Sequence, residues 1–275
     1  MTEKKPKEPK PIPLELQLKK CGKNLYVCFN HVLSLIDPSH PMLQEFLDYA
    51  RERISDSVSI DDCLEMLSQH IILKDIINSL FKEHYFYETN PLAKLIEFIV
   101  SSFKITLEDD IKKLLTKVTE TLKKLYDNCT QFEDRQTLME DFFGKVFYIA
   151  FNKTYKRLGI IYTPKPVTDY MLLSTHEIMQ SRFNRSLSDP QVVILDPAAG
   201  VGTFISRLLM SGIIRKEDLK RKYEEELQCN EITLLGYYIG SLNIQETYHH
   251  LTKEYVPFKG MQWTNTLEHP ERSCV

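Results

Sequence analysis

Val192-Val193-Ile194-Leu195-Asp196-Pro197-Ala198-Ala199-Gly200-Val201-Gly202-Thr203-Phe204 is the stretch on which the reading of this chain turns. An apolar run ends in a carboxylate, two glycines follow within six residues, and a second apolar run begins. The pattern predicts a buried strand over 192–195, a tight turn, and a helix over 203–211. In open α/β sheets the carboxyl end of the first strand is where a ligand sits. Glycines there let backbone N–H groups approach the ligand, because no Cβ intervenes. The helix that follows offers its unpaired N–H groups to polar ligand atoms. Asp196 at the strand tip is placed to accept hydrogen bonds from a positively charged amino group. A pyrophosphate pocket has no use for a carboxylate inside its turn, and the spacing is not Gly-x-Gly-x-x-Gly. The combination suits S-adenosylmethionine better than a dinucleotide, which sets aside a nicotinamide-dependent oxidoreductase.

The remaining second half extends the same unit. Gly159-Ile160-Ile161-Tyr162-Thr163-Pro164 reads as extended or turn-like, since Pro164 disfavours helix at Thr163. Pro166 suits the first turn of a following helix that carries Val167, Tyr170, Met171 and Leu173. Asn184 to Pro190 is a polar loop, Lys216 to Leu227 a charged helix, and Cys229 to Ile232 the end of a second strand. Leu234 to His250 is a long helix, and Met261 to Leu267 reads as a third strand. Strand–helix–strand–helix–strand is a parallel α/β unit.

These elements gather into one expected pocket. Asp196, Pro197, Ala198, Gly200, Gly202, Thr203 and Phe204 surround the methionine part of the cofactor. Glu231, ending the second strand, accepts the ribose hydroxyls, in charge-assisted hydrogen bonds worth roughly 1.5–3 kcal/mol. Asn265 and Thr266, ending the third strand, read the adenine edge. Tyr162, Thr163 and Pro164 close over the methionine carboxylate, with the Thr163 hydroxyl as donor. An aromatic ring at Tyr162 or Phe204 beside the sulfonium adds ~1 kcal/mol of cation–π attraction. No metal ligands are expected.

The first half is different. Residues 1–13 are Lys/Pro-rich and read as a solvated, disordered tail; Lys4, Lys5, Lys7 and Lys10 make it locally basic. From Leu14 to Leu158 the pattern is helical, with glycine only at Gly22 and Gly144. Ser59 with Asp62 marks one helix start. Thr106 with Asp109 opens another, whose Ile111, Leu114, Leu115, Val118, Leu122 and Leu125 form one apolar stripe. Lys112, Lys113, Lys117, Lys123 and Lys124 lie off that stripe and read as a solvated face rather than a phosphate track. Leu138, Met139, Phe142, Phe143, Val146, Phe147 and Ala150 recur at helical spacing as core.

Across all 275 residues the hydrophobic fraction is 43% and the net charge −3. That supports a packed core and sets aside a uniformly basic nucleic-acid module. No apolar run approaches the ~18 residues a membrane span needs, and no secretory h-region is present. Cys21, Cys28, Cys63, Cys129, Cys229 and Cys274 lack metal-ligand spacing and read as reduced cytoplasmic thiols.

Asp196-Pro-Ala-Ala-Gly-Val-Gly-Thr-Phe204 resembles the cofactor motif of adenine-specific, amino-methylating DNA methyltransferases of restriction systems, and Gly159 to Pro164 resembles the motif that precedes it. Gln69-His-Ile-Ile-Leu-Lys74, Asn90-Pro91, Asn184-Arg-Ser-Leu-Ser-Asp189, Asn230-Glu-Ile-Thr-Leu-Leu-Gly-Tyr-Tyr238 and Tyr248-His249 resemble the type ISP restriction–modification enzymes. Those join a nuclease, a helicase-like motor, a helical coupler, a methyltransferase and a target-recognition domain. The resemblance covers most of residues 60–268. It implies a helical coupler-like domain over 14–158, followed over 159–275 by the first part of a Rossmann-like, S-adenosylmethionine-dependent methyltransferase sheet. It implies that Asp196, Gly200 and Gly202 line the cofactor, that Glu231 holds the ribose, and that Asn265 stands where an Asp commonly touches the adenine. The resemblance implies that methyl transfer to N6 of a flipped adenine is carried out at the family's Asn/Asp-Pro-Pro-Tyr/Phe turn. The chain contains no Pro-Pro pair, so that catalytic turn is expected beyond Val275 and this piece is expected to be inactive alone. The partners expected are double-stranded DNA, reached through the full-length protein, and a C-terminal half or separate subunit. A non-catalytic remnant or split-enzyme half, and a methyltransferase acting on RNA, protein or a small molecule, are the competing readings.

Overall fold

The computed structural model describes residues 13–151 and 163–270. The first stretch is helical throughout: α1 (Leu14–Leu35), α2 (Pro41–Arg53), α3 (Ile60–Leu80), α4 (Phe86–Thr89), α5 (Pro91–Ser102), α6 (Asp109–Asp127), α7 (Phe132–Asp141) and α8 (Phe147–Ala150). Helix α1 packs against α3, α6 and α8. At the start of α3 the Ser59 hydroxyl accepts the Asp62 N–H at 3.2 Å while the Asp62 carboxylate accepts the Ser59 N–H at 2.9 Å, the expected reciprocal cap. Helix α6 buries Ile111, Leu115, Val118 and Leu122 and leaves the five lysines exposed, as its stripe predicts. Its start differs from expectation. Glu108, not Thr106, precedes the first turn and no side chain caps it. Asp109 and Asp110 there meet the positive end of the helix dipole instead. Between α7 and α8 the helix widens by one residue over Phe142–Val146; in the core Phe143 and Phe147 stack at 4.8 Å, and Phe142 meets both edge-on at 5.0 and 5.2 Å.

The second stretch holds helix α9 (Lys165–Phe183), strand β1 (Ile194–Asp196), α10 (Thr203–Met210), α11 (Leu219–Arg221), β2 (Leu227–Glu231), α12 (Leu234–Thr252) and β3 (Met261–Trp263). All three strands are parallel, in the order β1-β2-β3, with Asp196 opposite Cys229 and Glu231 opposite Trp263. The molecule is therefore mostly helical, with a small parallel sheet.

Three expected elements differ from the sequence pattern, through contacts with residues distant in the chain. β1 starts at Ile194, not Val192, because the Val192 carbonyl is bound by Lys222 Nζ at 2.7 Å and the Gln191 N–H by Glu226 at 2.6 Å. The charged helix expected over 216–227 is a continuous helical run of changing pitch, tight over Lys216–Asp218, regular over α11 and widened over Lys222–Glu226, and Leu227 already belongs to β2. Lys222 within it is fully buried, paired with Glu226 at 2.7 Å and bound to the Asp189 carbonyl at 2.8 Å. β3 ends at Trp263, not Leu267, because the Arg53 carbonyl takes the Thr264 hydroxyl at 3.0 Å and the Asn265 N–H at 3.2 Å.

Helix α12 is the central beam. It is buried along nearly its whole length, which accounts for apolar residues spread around it rather than gathered in one stripe. One side lies on the sheet. The other takes polar contacts from the helical layer: Tyr238 with His70 at 2.8 Å, Tyr237 with Asn90 at 3.1 Å, and Glu246 with His84 at 2.7 Å. His70 is buried, and burial holds its pKa below the usual imidazole range, so the ring is neutral near pH 7. Its Nε2–H donates to Glu97 at 2.9 Å, which leaves Nδ1 to accept the Tyr238 O–H. One continuous apolar core runs from Leu18 to Trp263 through both stretches. The expected boundary near Gly159 falls outside the described residues, as do the basic tail and Cys274. The five described cysteines are free. On α9, Val167, Tyr170, Met171 and Leu173 sit where the sequence puts them, but exposed. No described helix is long and apolar enough to cross a membrane.

Replacing Ser59 by Ala removes half of the reciprocal cap. Urea denaturation of the variant is expected to show a loss of about 1 kcal/mol with an unchanged m-value.

Candidate functional site

The carboxyl ends of β1 and β2 carry the two expected carboxylates, and the structure brings them together. Asp196 Oδ1 accepts the Ala198 N–H at 3.2 Å, bending the chain out of β1. Asp196 Oδ2 is buried and has no hydrogen-bond partner among the described residues. Burial holds the Asp196 carboxyl above its ordinary pKa. Glu231 lies two residues past the position paired with Asp196. It too is raised by burial, with a smaller contribution from the Asp196 charge.

The glycine turn between them is held on three sides. The Ala199 N–H donates to the Asn230 carbonyl at 2.9 Å, the Gly200 N–H to Glu231 Oε2 at 2.8 Å, and the Gly202 N–H to the Ala199 carbonyl at 2.8 Å. Gly200 and Gly202 have φ of +55° and +75°, the left-handed region that side chains resist. Helix α12 closes the back. A Cβ on Gly240 would lie 2.8 Å from the Gly200 carbonyl oxygen, and one on Gly202 would lie 2.9 Å from that of Gly240. Asn243 Nδ2 donates to the Val201 carbonyl at 3.0 Å, and Gln136 of α7 donates to Asn243 Oδ1 at 3.3 Å. Gly202 precedes α10 with no side-chain cap, so the first N–H groups of that helix stay open. Thr203 is buried beneath the turn, Phe204 is half-buried, and Pro197 and Ala198 are exposed.

Glu231 is more committed than the sequence suggests. Oε1 accepts both the Thr233 N–H at 2.7 Å and the Thr233 hydroxyl at 2.6 Å, while Oε2 takes the Gly200 N–H. It thus joins the turn to the start of α12, and only Oε2 keeps a lone pair free for a further donor.

Asn265 and Thr266 lie beyond β3, in the turn after it, rather than at its end. Asn265 lines a cavity of about 400 Å³ with Ile232 and Thr233; Ser57, Asp62 and Gln69 of the helical layer form the opposite wall. Its own amide is engaged, accepting the Leu267 N–H at 3.1 Å and donating to Glu268 at 3.3 Å. Thr266 fastens the loop to the turn: its hydroxyl donates to the Pro197 carbonyl at 2.7 Å and accepts from Asn230 at 2.9 Å. Tyr162 lies outside the described residues. Thr163 and Pro164 lead into α9, where Asp169 grips Arg207 of α10 through two hydrogen bonds of 2.5 and 2.7 Å. The residues that sequence reasoning missed are Gly240, Asn243 and Gln136, and the helical-layer wall of the 400 Å³ cavity. The Gly-x-x-x-Gly spacing of Gly236 and Gly240 in an otherwise helical run was the available signal for the first.

Gly240→Ala drives a methyl group into the Gly200 carbonyl. It is expected to cost about 1–3 kcal/mol of stability in a denaturant melt, against less than ~1 kcal/mol for an alanine at an exposed position of α12.

Residues 29–136 match the family described as Type ISP restriction-modification enzyme, coupler domain. No curated protein matches the chain. Among solved structures, a DrdV–DNA complex superposes with a TM-score of 0.80 at 29% identity, over 94% of this chain and 26% of that one. A nuclease-deletion mutant of the Type ISP restriction-modification enzyme LlaGI, in complex with a DNA substrate mimic, gives 0.78 at 32%, over 96% and 22%. The ATP-dependent Type ISP restriction-modification enzyme LlaBIII bound to DNA gives 0.77 at 33%, over 95% and 18%. The chain thus spans between 18% and 26% of the length of these structures. In both comparisons it is similar to the coupler-containing part of Type ISP restriction–modification enzymes.

Proposed function

We propose that this chain supplies the helical coupler and the S-adenosylmethionine pocket of a restriction–modification DNA methyltransferase that modifies N6 of adenine. One observation carries the reading. A buried carboxylate oxygen, Asp196 Oδ2, has no protein partner, and it sits beside a side-chain-free turn and the open end of a helix. A buried charge without a partner is costly, and an ammonium group with a hydrogen-bonding tail removes that cost. The residues present therefore fit the cofactor. Asp196 takes the ammonium of the methionine part, and the N–H groups at the start of α10 and the Thr163 hydroxyl face its carboxylate. The free lone pair of Glu231 Oε2 takes a ribose hydroxyl. The cavity beside Ile232 and Asn265 admits the adenine. When bound, the cofactor supplies an electrophilic methyl group on sulfur.

DNA as the macromolecular partner rests on the DNA complexes of the similar structures. The chain holds no Pro-Pro pair, so we assign the base-binding turn to another part of the whole protein and expect no methyl transfer by this chain alone. A second reading, a cofactor-binding or structural half without catalysis, is favoured by the engagement of Glu231 with protein groups on both oxygens.

Calorimetry with S-adenosylmethionine tests the pocket. The wild-type chain is expected to bind, and Asp196→Ala to weaken binding about 10- to 100-fold, the equivalent of one charge-assisted hydrogen bond. Absence of heat with the wild-type chain, or an Asp196→Ala variant that binds equally well, contradicts the reading. The pH dependence has a definite sign. Only the ionised carboxylate holds the ammonium, and burial raises the Asp196 pKa. Affinity should therefore fall on acidification, beginning above the ordinary carboxylate range, and the fall should be smaller in Asp196→Asn, where Glu231 alone of the two carboxylates titrates.

A further inference from the structure

A second cavity, of about 740 Å³, lies away from the Asp196 turn. It runs beside the outer edge of β3, between α2 and the corner where α4 meets α5, and shares no lining residue with the cavity at Asn265. Its volume is that of a small-molecule site.

Three cations converge on it: Arg53, Lys94 and Lys259. None of the three is in an ion pair among the described residues, and Glu88 is the one carboxylate of the lining. In a chain of net charge −3 that is a local excess of positive charge. Arg53 lies over the Tyr49 ring at 4.9 Å, and its Nε is buried without a hydrogen-bond partner. Lys94 sits in the first turns of α5, whose opening turn has no acidic residue. A cation there opposes the helix dipole, so the same end of α5 presents two sources of positive potential, against which the lining sets the one carboxylate of Glu88. A bound anion balances the remainder. Aromatic residues adjoin the cations: Tyr49, beneath Arg53, stacks with Trp263 at 6.0 Å, and both line the cavity.

We propose that this cavity binds a nucleoside phosphate, with the phosphate held by Arg53, Lys94 and Lys259 and the base against the Tyr49–Trp263 wall. A cationic rim joined to an aromatic wall recognises both halves of such a ligand, whether it is a free nucleotide or a unit of a single strand. The inference stands apart from the cofactor reading, because the two cavities have no residue in common.

Trp263 is the single tryptophan of the chain and reports on the site directly. Its fluorescence is followed while the chain is titrated with CDP, with cytidine, with pyrophosphate and with a short oligodeoxycytidylate. A pyrimidine avoids the expected adenine subsite. CDP is expected to change the signal saturably, and cytidine to bind about tenfold more weakly or worse for want of charge-assisted bonds. The double variant Lys94→Glu/Lys259→Glu, altered only at exposed positions, is expected to weaken CDP about tenfold or more while its S-adenosylmethionine heat equals that of the wild type. Oligonucleotide binding tighter than CDP supports the proposal with a strand as source; CDP binding tighter supports it with a free nucleotide. No saturable change with CDP at millimolar concentration, cytidine binding as well as CDP, or a double variant that binds CDP unchanged overturns it. A pyrophosphate affinity equal to that of CDP also overturns it, since the aromatic wall would then contribute nothing.

Discussion

The backbone of the Gly200–Gly202 turn rests directly on the backbone of helix α12, at a distance that leaves no room for a side chain on Gly202 or Gly240. Most else about the site follows from that contact. It fixes where the turn can lie, and Asn243 then pins the Val201 carbonyl while Glu231 pins the Gly200 N–H. With its own carbonyls and N–H groups so engaged, the turn is built before any ligand arrives. A pre-built site spares a ligand the entropy of ordering it. Beside it, Asp196 Oδ2 is buried with no hydrogen-bond partner among the described residues.

The same helix explains why the helical layer and the sheet form one body. Tyr237, Tyr238 and Glu246 of α12 each hold a partner in the helical layer, and Gln136 reaches Asn243, the residue that holds the turn. Buried hydrogen bonds of this kind contribute roughly 0.5–1.5 kcal/mol each, but leaving one half-made costs more. The helical layer therefore cannot slide on α12 without exposing several such groups at once. In the Type ISP enzymes to which the chain is similar, the matched family is described as a coupler domain; here its residue Gln136 is separated from the turn by one side chain, Asn243.

What the sequence revealed was local. The Ser59–Asp62 cap, the α6 stripe, the Phe-rich core of α7 and α8 and the glycine turn each declare themselves within one or two turns of chain, because spacing alone determines which side chains share a face. Asp196 and Glu231 were legible as strand tips for the same reason. The end of β3 was not, since Arg53, 211 residues away, takes the hydroxyl of Thr264. Nor was Lys222, which reads as one more charge in a solvated run yet is fully buried and holds two carbonyls. The role of Asn243 depends on a carbonyl 42 residues earlier. Glu231 was legible, but its protein partners were not: Thr233, two residues on, holds one of its oxygens and the Gly200 N–H the other.

A crystal structure of the chain with S-adenosylmethionine bound tests the central claim most directly, because it sees the turn and the ligand together. The account predicts an unmoved turn, with Gly200 still on Glu231 and Val201 still on Asn243, and the ligand ammonium against the free oxygen of Asp196. A turn rebuilt around the ligand, or a ligand lying away from Asp196, would contradict it.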